Sequence, residues 1–360
     1  MTTNLVFDKI KIGISYGGIA KNMKKKKLIS LVLCLALLFS FAGCEKEQKI
    51  TAKGRSFSEL YFDTYGSFSD YTGSSQKDFD KLFNRVQTEL SEYHKLYDIY
   101  HEYEGMVNLK TINDNAGCGK LTVDEKIIDL LLYAKEMHEL TDGKINIAFG
   151  SVLKIWHNYR EKGVAIPTTA ELTAANAHTS IENLVIDEEN NTVELLDPEM
   201  SLDVGAIAKG YAVEKIAEGL IRDGYSGYAL DVGGNLRTIG KKPNGQGWTV
   251  GIKNPTSPYS QTYVYTTEIK NCAIVTSGNY ERFYTVAGVR YHHIINPESL
   301  FPENYYLSVS VKSGSSALSD ALSTALFNTP YEEISAFVKS LDGVFVVVVL
   351  PDGTVECITQ

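Results

Sequence analysis

Between Leu202 and Asn235 the chain reads LDVGAIAKGYAVEKIAEGLIRDGYSGYALDVGGN. Residues 206–223 carry apolar side chains at helical spacing, and Gly224 stands where a left-handed residue would close the helix. Small residues and an acid crowd its start, at Asp203, Gly205, Ala206, Ala208 and Gly210, and the next strand ends Asp231-Val232-Gly233-Gly234-Asn235. A helix that begins with so little side chain can be approached closely by a packed element or by a ligand. Its unpaired N–H groups and partial positive charge suit a phosphate, and Lys209 adds a mobile cation. The spacing GxxxxGK[ST] and a usable GxGxxG are both missing, so this is not a Walker loop or a dinucleotide fingerprint. Close helix–sheet packing and phosphate binding explain these glycines equally well.

The elements around that helix are legible from periodicity. Residues 60–64 alternate like a strand, and from Gln76 the series Phe79, Leu82, Phe83, Val86, Leu90, Tyr93, Tyr97 predicts one long amphipathic helix. Ile127, Ile128, Leu131, Leu132, Ala134, Met137 and Leu140 predict a second, closed by Asp142-Gly143, with a polar loop over 109–120 between them. Strands at 184–187 and 192–196 read as a hairpin with asparagines at its turn, and further strands are expected at 248–252, 263–268 and 273–276. The C-terminal part reads as strand 308–311, helices 317–327 and 331–340, and strands near 344–350 and 354–358. Strands outnumber helices and several are hairpin-linked. The expected class is α+β, with a mixed, largely antiparallel sheet and packed helices in a single domain over 58–360.

The N-terminal part has a different character. Met23 and four lysines precede an apolar run, Leu28 to Phe41, and together they have the anatomy of an export signal, for which the residues from Met23 onward suffice. The run ends Ser40-Phe41-Ala42-Gly43-Cys44, which looks like a bacterial lipobox, although Phe41 is unusual in that motif. Segment 1–43 is therefore expected to be cleaved, Cys44 to carry lipid, and 44–57 to tether an extracytoplasmic domain to the membrane. Seven of the 35 basic residues and one of the 44 acidic ones lie in 1–43, leaving 28 against 43, a balance of −15. That balance argues against nucleic acid as a partner and against a polybasic grip on lipid. Cys118, Cys272 and Cys357 have no zinc or disulfide spacing and are expected to be buried structural thiols.

Two further constellations bear on chemistry. In Ser316 to Phe327, Leu318, Ala321, Leu322, Ala325 and Leu326 make an apolar face, and Asp320 and Thr324 stack one turn apart on another. A carboxylate and a hydroxyl so placed offer two hard oxygens to a cation such as Mg2+; a solvated polar stripe has the same spacing. In Tyr291-His292-His293-Ile294-Ile295-Asn296-Pro297 two histidines meet at a strand end, and only one of them can enter a given pocket because neighbours in a strand face opposite ways. Such a histidine can take a proton from a hydroxyl, or simply lie at the surface.

Taken together with Thr276-Ser277-Gly278-Asn279-Tyr280-Glu281-Arg282-Phe283, these segments resemble, in order and spacing, the ApbE family of FAD:protein FMN transferases. The resemblance spans about residues 58–358 and implies a T-fold-like single domain. It further implies Mg2+-dependent cleavage of FAD, with FMN passed to a threonine hydroxyl of an exported FMN-binding-domain protein of a redox complex and AMP released. By the same resemblance Asp320, Thr324 and the Ala206 carbonyl would hold the metal, Asp203 and Lys209 would contact FAD, His293 would be the base and Ile294 would line the flavin or nucleotide. Tyr65 stands where many members carry Met and could stack on an adenine or isoalloxazine ring, Tyr93 loosely matches a family aromatic, and Lys144-Ile145-Asn146 take the place of the family's Ala-Phe-Asp run. The chain departs from the family pattern at Tyr65-Gly66-Ser67, at Asn146 in place of an acid, and at Ser323 in place of a further acid. The alternatives are a non-catalytic flavin- or solute-binding lipoprotein, and an FAD pyrophosphatase giving FMN and AMP.

Overall fold

The computed structural model describes residues 52–257 and 260–359; the export segment 1–43 and Cys44 lie outside them. The first element is β1 (Lys53–Ser56), antiparallel to β2 (Gly66–Asp70). The tether expected over 44–57 therefore ends earlier, and the fold begins at Lys53 rather than near Ser58. A polar edge strand with one neighbour needs no apolar alternation, which is why its sequence resembles a linker. The strand expected over 60–64 is a tight turn instead. Phe62 and Asp63 have φ of 53° and 56°, and Tyr61 and Thr64 exchange backbone hydrogen bonds of 3.1 Å around them. Two left-handed central residues make a hairpin-type turn, here without the Gly or Asn that would signal it.

Next come α1 (Gln76–Leu96), α2 (Leu109–Asp114), β3 (Leu121–Thr122) and α3 (Glu125–Leu140). The long helices fall where periodicity placed them. The loop expected over 109–120 contains α2, capped by Asn108, whose side chain accepts the Thr111 N–H while Thr111 reciprocates. Helices α4 (Gly150–Lys162) and α5 (Thr169–Asn176) follow, the second opened by a Thr168–Glu171 capping box. Then come β4 (Leu184–Asp187) and β5 (Thr192–Leu195), joined through Asn191 at φ 49°. Helix α6 (Ala208–Arg222) is followed by β6 (Tyr228–Val232), β7 (Asn235–Ile239), β8 (Trp248–Lys253), β9 (Tyr263–Ile269) and β10 (Ala273–Gly278). The chain continues with β11 (Phe283–Val286), β12 (Val289–His292), β13 (Ser308–Ser313), α7 (Ser316–Phe327), α8 (Tyr331–Lys339), β14 (Phe345–Val349) and β15 (Val355–Ile358).

Eight strands form the main sheet in the order β1-β2-β6-β7-β10-β13-β14-β15. Every neighbouring pair is antiparallel, as the hairpin-rich sequence implies. Alternation assigns its faces. Leu230 and Val232 of β6 pack with Phe68 against α1 and α6, through Phe83, Val86, Val213 and Ile216, whereas Ala229 points the other way, to Trp248 and Ile252 of the β8–β9 hairpin. In β14, Val346 and Val348 meet Leu322 and Leu326 of α7 while Val347 joins the hairpin side, so its run of valines is buried on both faces. Each such side chain contributes about 1.5–3 kcal/mol by leaving water. Cys118 and Cys357 are exposed and Cys272 is half-buried, which corrects the expectation of buried thiols. Cys357 lies on the edge strand β15 one residue before buried Ile358, so the strand's alternation turns it outward.

Gly210 explains one of the opening glycines. A Cβ there would lie 2.3 Å from Asp320 Cβ and 2.6 Å from the Ser316 carbonyl oxygen, so α6 and α7 can touch only through its bare backbone. Beneath this crossing Arg237 donates to both carboxylate oxygens of buried Glu214, at 2.9 and 3.0 Å, and Glu214 also accepts the Ser316 N–H at the start of α7. Gly210→Ala is expected to destabilise the protein by about 1–3 kcal/mol through overpacking, despite alanine's higher helix propensity. Urea unfolding would measure it, and an unchanged midpoint would refute the close approach of the two helices.

Candidate active site

The loop before α6, the first turn of α6, the polar side of α7 and the segment after β12 all open on one cavity of about 910 Å³. Asp203, Ala206, Lys209, Asp320, Thr324, His293 and Ile294 line it, as do Tyr65, Lys144, Ile145 and Asn146. Residues far apart in the chain are thus brought to one place by the α6–α7 crossing and the antiparallel sheet beneath it.

Asp320 is the centre of the polar arrangement. Its carboxylate accepts from Lys209 Nζ at 3.0 and 3.2 Å and from the Gly210 N–H at 2.7 Å. In a regular first turn the Gly210 N–H would donate to the Ala206 carbonyl. Here it turns to Asp320, and among the described residues no backbone N–H takes its place on Ala206. The Thr324 hydroxyl, one turn along α7, lies 3.3 Å from Ser277 Oγ. Ser323 shares that partner: its hydroxyl pairs with Ser277 Oγ at 2.8 Å and donates to the Asp320 carbonyl at 2.9 Å. The polar side of α7 is therefore not a solvated stripe, since Ser319, Asp320 and Ser323 are all buried.

One carboxylate, one hydroxyl and one unpartnered carbonyl make a set of hard oxygens suited to Mg2+, which keeps several positions for water or phosphate. Among the described residues no three His, Cys, Asp or Glu side chains converge as a metal cage, so a cation here would depend on those neutral oxygens and on its substrate. Asp203 lies on the same side. Its Oδ1 accepts the Gly205 N–H at 2.8 Å, and burial pushes its carboxyl above the usual range despite that bond.

His293 faces the cavity from the segment after β12, and its neighbour does not. His292 is buried, with Nε2 2.8 Å from the Glu303 carbonyl and its ring edge-on to Phe327. The two histidines diverge at the end of β12, His292 in its last position and His293 in the bend that follows. His293 Nδ1 lies 3.2 Å from the Arg282 carbonyl, which also accepts the His293 N–H at 3.0 Å. A carbonyl only accepts, so Nδ1 carries the proton and Nε2 keeps its lone pair. Burial first, then the charges of Arg282, His292 and Arg160, hold the imidazole down to about 3, so it is neutral in the free protein at neutral pH.

A sequence model described as the ApbE family matches residues 62–348 of this chain. The chain belongs to the ApbE family. Similar ApbE relatives include an FAD:protein FMN transferase from Treponema pallidum, 33% identical over 69% of this chain and 72% of the relative. One of the same name from Klebsiella pneumoniae is 31% identical over 70% and 81%. Among solved ApbE structures, the Thermotoga maritima protein superposes with a TM-score of 0.75 at 27% identity, covering 85% of this chain and 97% of that one. The flavin transferase ApbE from Vibrio cholerae superposes with 0.71 at 25%, covering 86% and 98%. The α+β architecture and the family resemblance both hold.

Within this ApbE cavity the flavin-binding expectations divide. Tyr65 is 77% exposed at the rim, free to cover a ring system. Lys144 pairs with Glu298 at 2.8 Å, and Ile145 is buried in the core with an edge on the cavity. The Asn146 amide is already engaged: Oδ1 accepts the Ala148 N–H and Nδ2 donates to the Thr179 carbonyl, each at 2.9 Å. It braces the wall more than it reaches a ligand. Tyr93, by contrast, is not among the residues that line the cavity. It is half-buried against Tyr97, 5.6 Å between ring centroids, and burial pushes its phenol up to about 12. Its place in the helical periodicity of α1 already marked it as a packing residue. Conversely, Tyr100, Trp156, His157, Arg160, Asp231 and Arg282 line the cavity and had no role assigned from sequence. Trp156 and Arg160, four apart, were detectable only by recognising α4 as a helix.

Proposed function

We propose that this protein is an FAD:protein FMN transferase that moves FMN from FAD to a threonine hydroxyl of an acceptor protein and releases AMP. The observation that carries the reading is the convergence of Lys209 and the Gly210 N–H on Asp320, with Ala206 and Thr324 beside it, in the same cavity as neutral His293. Its relatives named FAD:protein FMN transferase support it. The threonine Oγ attacks the flavin-side phosphorus, its proton passes to His293 Nε2, and the bond from that phosphorus to the bridging oxygen breaks. The bridging oxygen departs with AMP. A base so placed contributes about 10²- to 10⁴-fold. Lys209 neutralises charge on the diphosphate, and the Asp203 loop presents the start of α6 to it. Mg2+, held by Asp320, Thr324 and the Ala206 carbonyl, would supply further charge neutralisation at the diphosphate.

The same proposal places the enzyme on the extracytoplasmic face of the membrane, anchored through lipid on Cys44, where an exported acceptor with an FMN-binding domain would meet it. The anatomy of the export segment supports this placement. Incubating the purified domain with FAD, Mg2+ and such an acceptor should give an acceptor heavier by the mass of an FMN residue, and a chelator should prevent it. FMN and AMP formed from FAD without acceptor would instead identify a pyrophosphatase, and intact FAD under every condition a binding protein.

A further inference from the structure

The cavity holds two guanidinium groups that have no carboxylate partner. Arg160, on α4, donates from Nη2 to His157 Nδ1 at 2.8 Å, and Arg282, just before β11, donates from Nη2 to the Asp63 carbonyl at 3.2 Å. Among the described residues neither forms an ion pair, whereas Arg237 is paired to Glu214 and Arg85 to Glu89 and Asp223. Burial and the nearby charge of Arg282 both lower the Arg160 pKa, so the two cations repel. Asp203, half-buried on this side of the cavity, feels both guanidinium charges, but its Oδ1 is turned onto the Gly205 N–H and it forms no ion pair with either arginine among the described residues. Two like charges near one another in a cleft, neither paired directly with a carboxylate, are arranged for an anion that arrives from solution.

Their position says which anion. The Arg282 carbonyl holds both the backbone N–H and Nδ1 of His293, so the backbone of this arginine lies directly beside the base. A hydroxyl that gives its proton to His293 attacks phosphorus from about 3–3.5 Å. The phosphoryl group beside the base is therefore the one transferred, while Lys209 and Asp320 on α6 and α7 face the rest of the diphosphate. We propose that Arg160 and Arg282 form a guanidinium clamp for the non-bridging oxygens of the flavin-side phosphate. Planar guanidinium forks suit two such oxygens better than a point charge does, and they oppose the charge that builds there during transfer. The inference deepens the proposed transferase reading and rests on it for the identity of the anion.

Titration of the full domain with FMN and with riboflavin, by flavin fluorescence and with chelator present, tests the clamp without the metal and without turnover. The wild type should bind FMN more tightly than riboflavin. Arg160→Gln and Arg282→Gln should each reduce that preference by about tenfold or more, leaving riboflavin affinity unchanged. With FAD, Mg2+ and acceptor, each variant should also lose about 10²-fold in kcat. Arg282 is exposed, so Arg282→Gln decides the matter should Arg160→Gln fail to fold. An FMN preference that survives in Arg282→Gln overturns the clamp. A wild type that prefers FMN through these arginines yet never modifies an acceptor overturns the transferase reading and leaves the phosphate site standing.

Discussion

Asp320→Asn is expected to abolish measurable FMN transfer while the protein stays folded. The amide keeps an acceptor for the Gly210 N–H but removes the charge that faces Lys209 at 3.0 Å and that would hold the cation. Losing one charge-stabilising group of this kind costs about 10²- to 10³-fold in kcat, and loss of the cation adds to it. Asp320→Ala should have a second effect. It leaves a Lys209 side chain only 21% exposed without its partner and strands the Gly210 N–H. Breaking a buried pair in this way costs about 3–5 kcal/mol, and the residual exposure of Lys209 favours the low end. Intact-mass analysis of the acceptor reads the first effect and urea unfolding the second. An asparagine variant that transfers FMN at the normal rate would remove Asp320 from the mechanism.

His293→Ala should slow transfer by about 10²- to 10⁴-fold with little change in FAD affinity. The pH dependence gives a sharper test. In the free protein, burial and the charges of Arg282, His292 and Arg160 lower the imidazole from 6.5 to about 3, so the base stays unprotonated well below neutral pH. A bound diphosphate brings negative charge beside the ring and must raise that value. The acid limb of kcat, which reports the complex, should therefore lie at higher pH than that of kcat/KM, which reports the free enzyme. Coincident limbs would contradict the assignment. Stability follows the same shift. Between about 6.5 and 3 the unfolded chain binds the proton that the folded chain refuses, so this contribution is complete above 6.5 and is lost as pH falls toward 3. His293→Gln should flatten that part of the stability curve.

Much of this fold is local in origin, and that part is readable from sequence. Helices α1, α3, α6 and α7 appear where apolar residues recur at helical spacing, and Asp320 and Thr324 share a face because they are four apart. The divergence of His292 and His293 agrees with the alternation expected at a strand end, although His293 itself lies in the bend just past β12. The failures have physical reasons too. The turn at Phe62-Asp63 puts a bulky Phe in the left-handed region, which only its Asp neighbour's chemistry favours, and α2 is capped by an Asn–Thr pair instead of the commoner Ser or Thr with Glu. Tyr93 matched an aromatic position, but the packing of α1 turned it toward Tyr97.

Elements, family and the chemical types of the site are thus written in the order of residues, since each depends on positions within a few turns of one another. Which groups meet is settled only in three dimensions. Lys209 and Asp320 are 111 positions apart, and only the Gly210 crossing lets them touch; Arg160 and Arg282 gain meaning only from their place around His293. Contacts at that separation depend on sheet register and helix approach, which are summed over many weak interactions and leave no single mark on the chain.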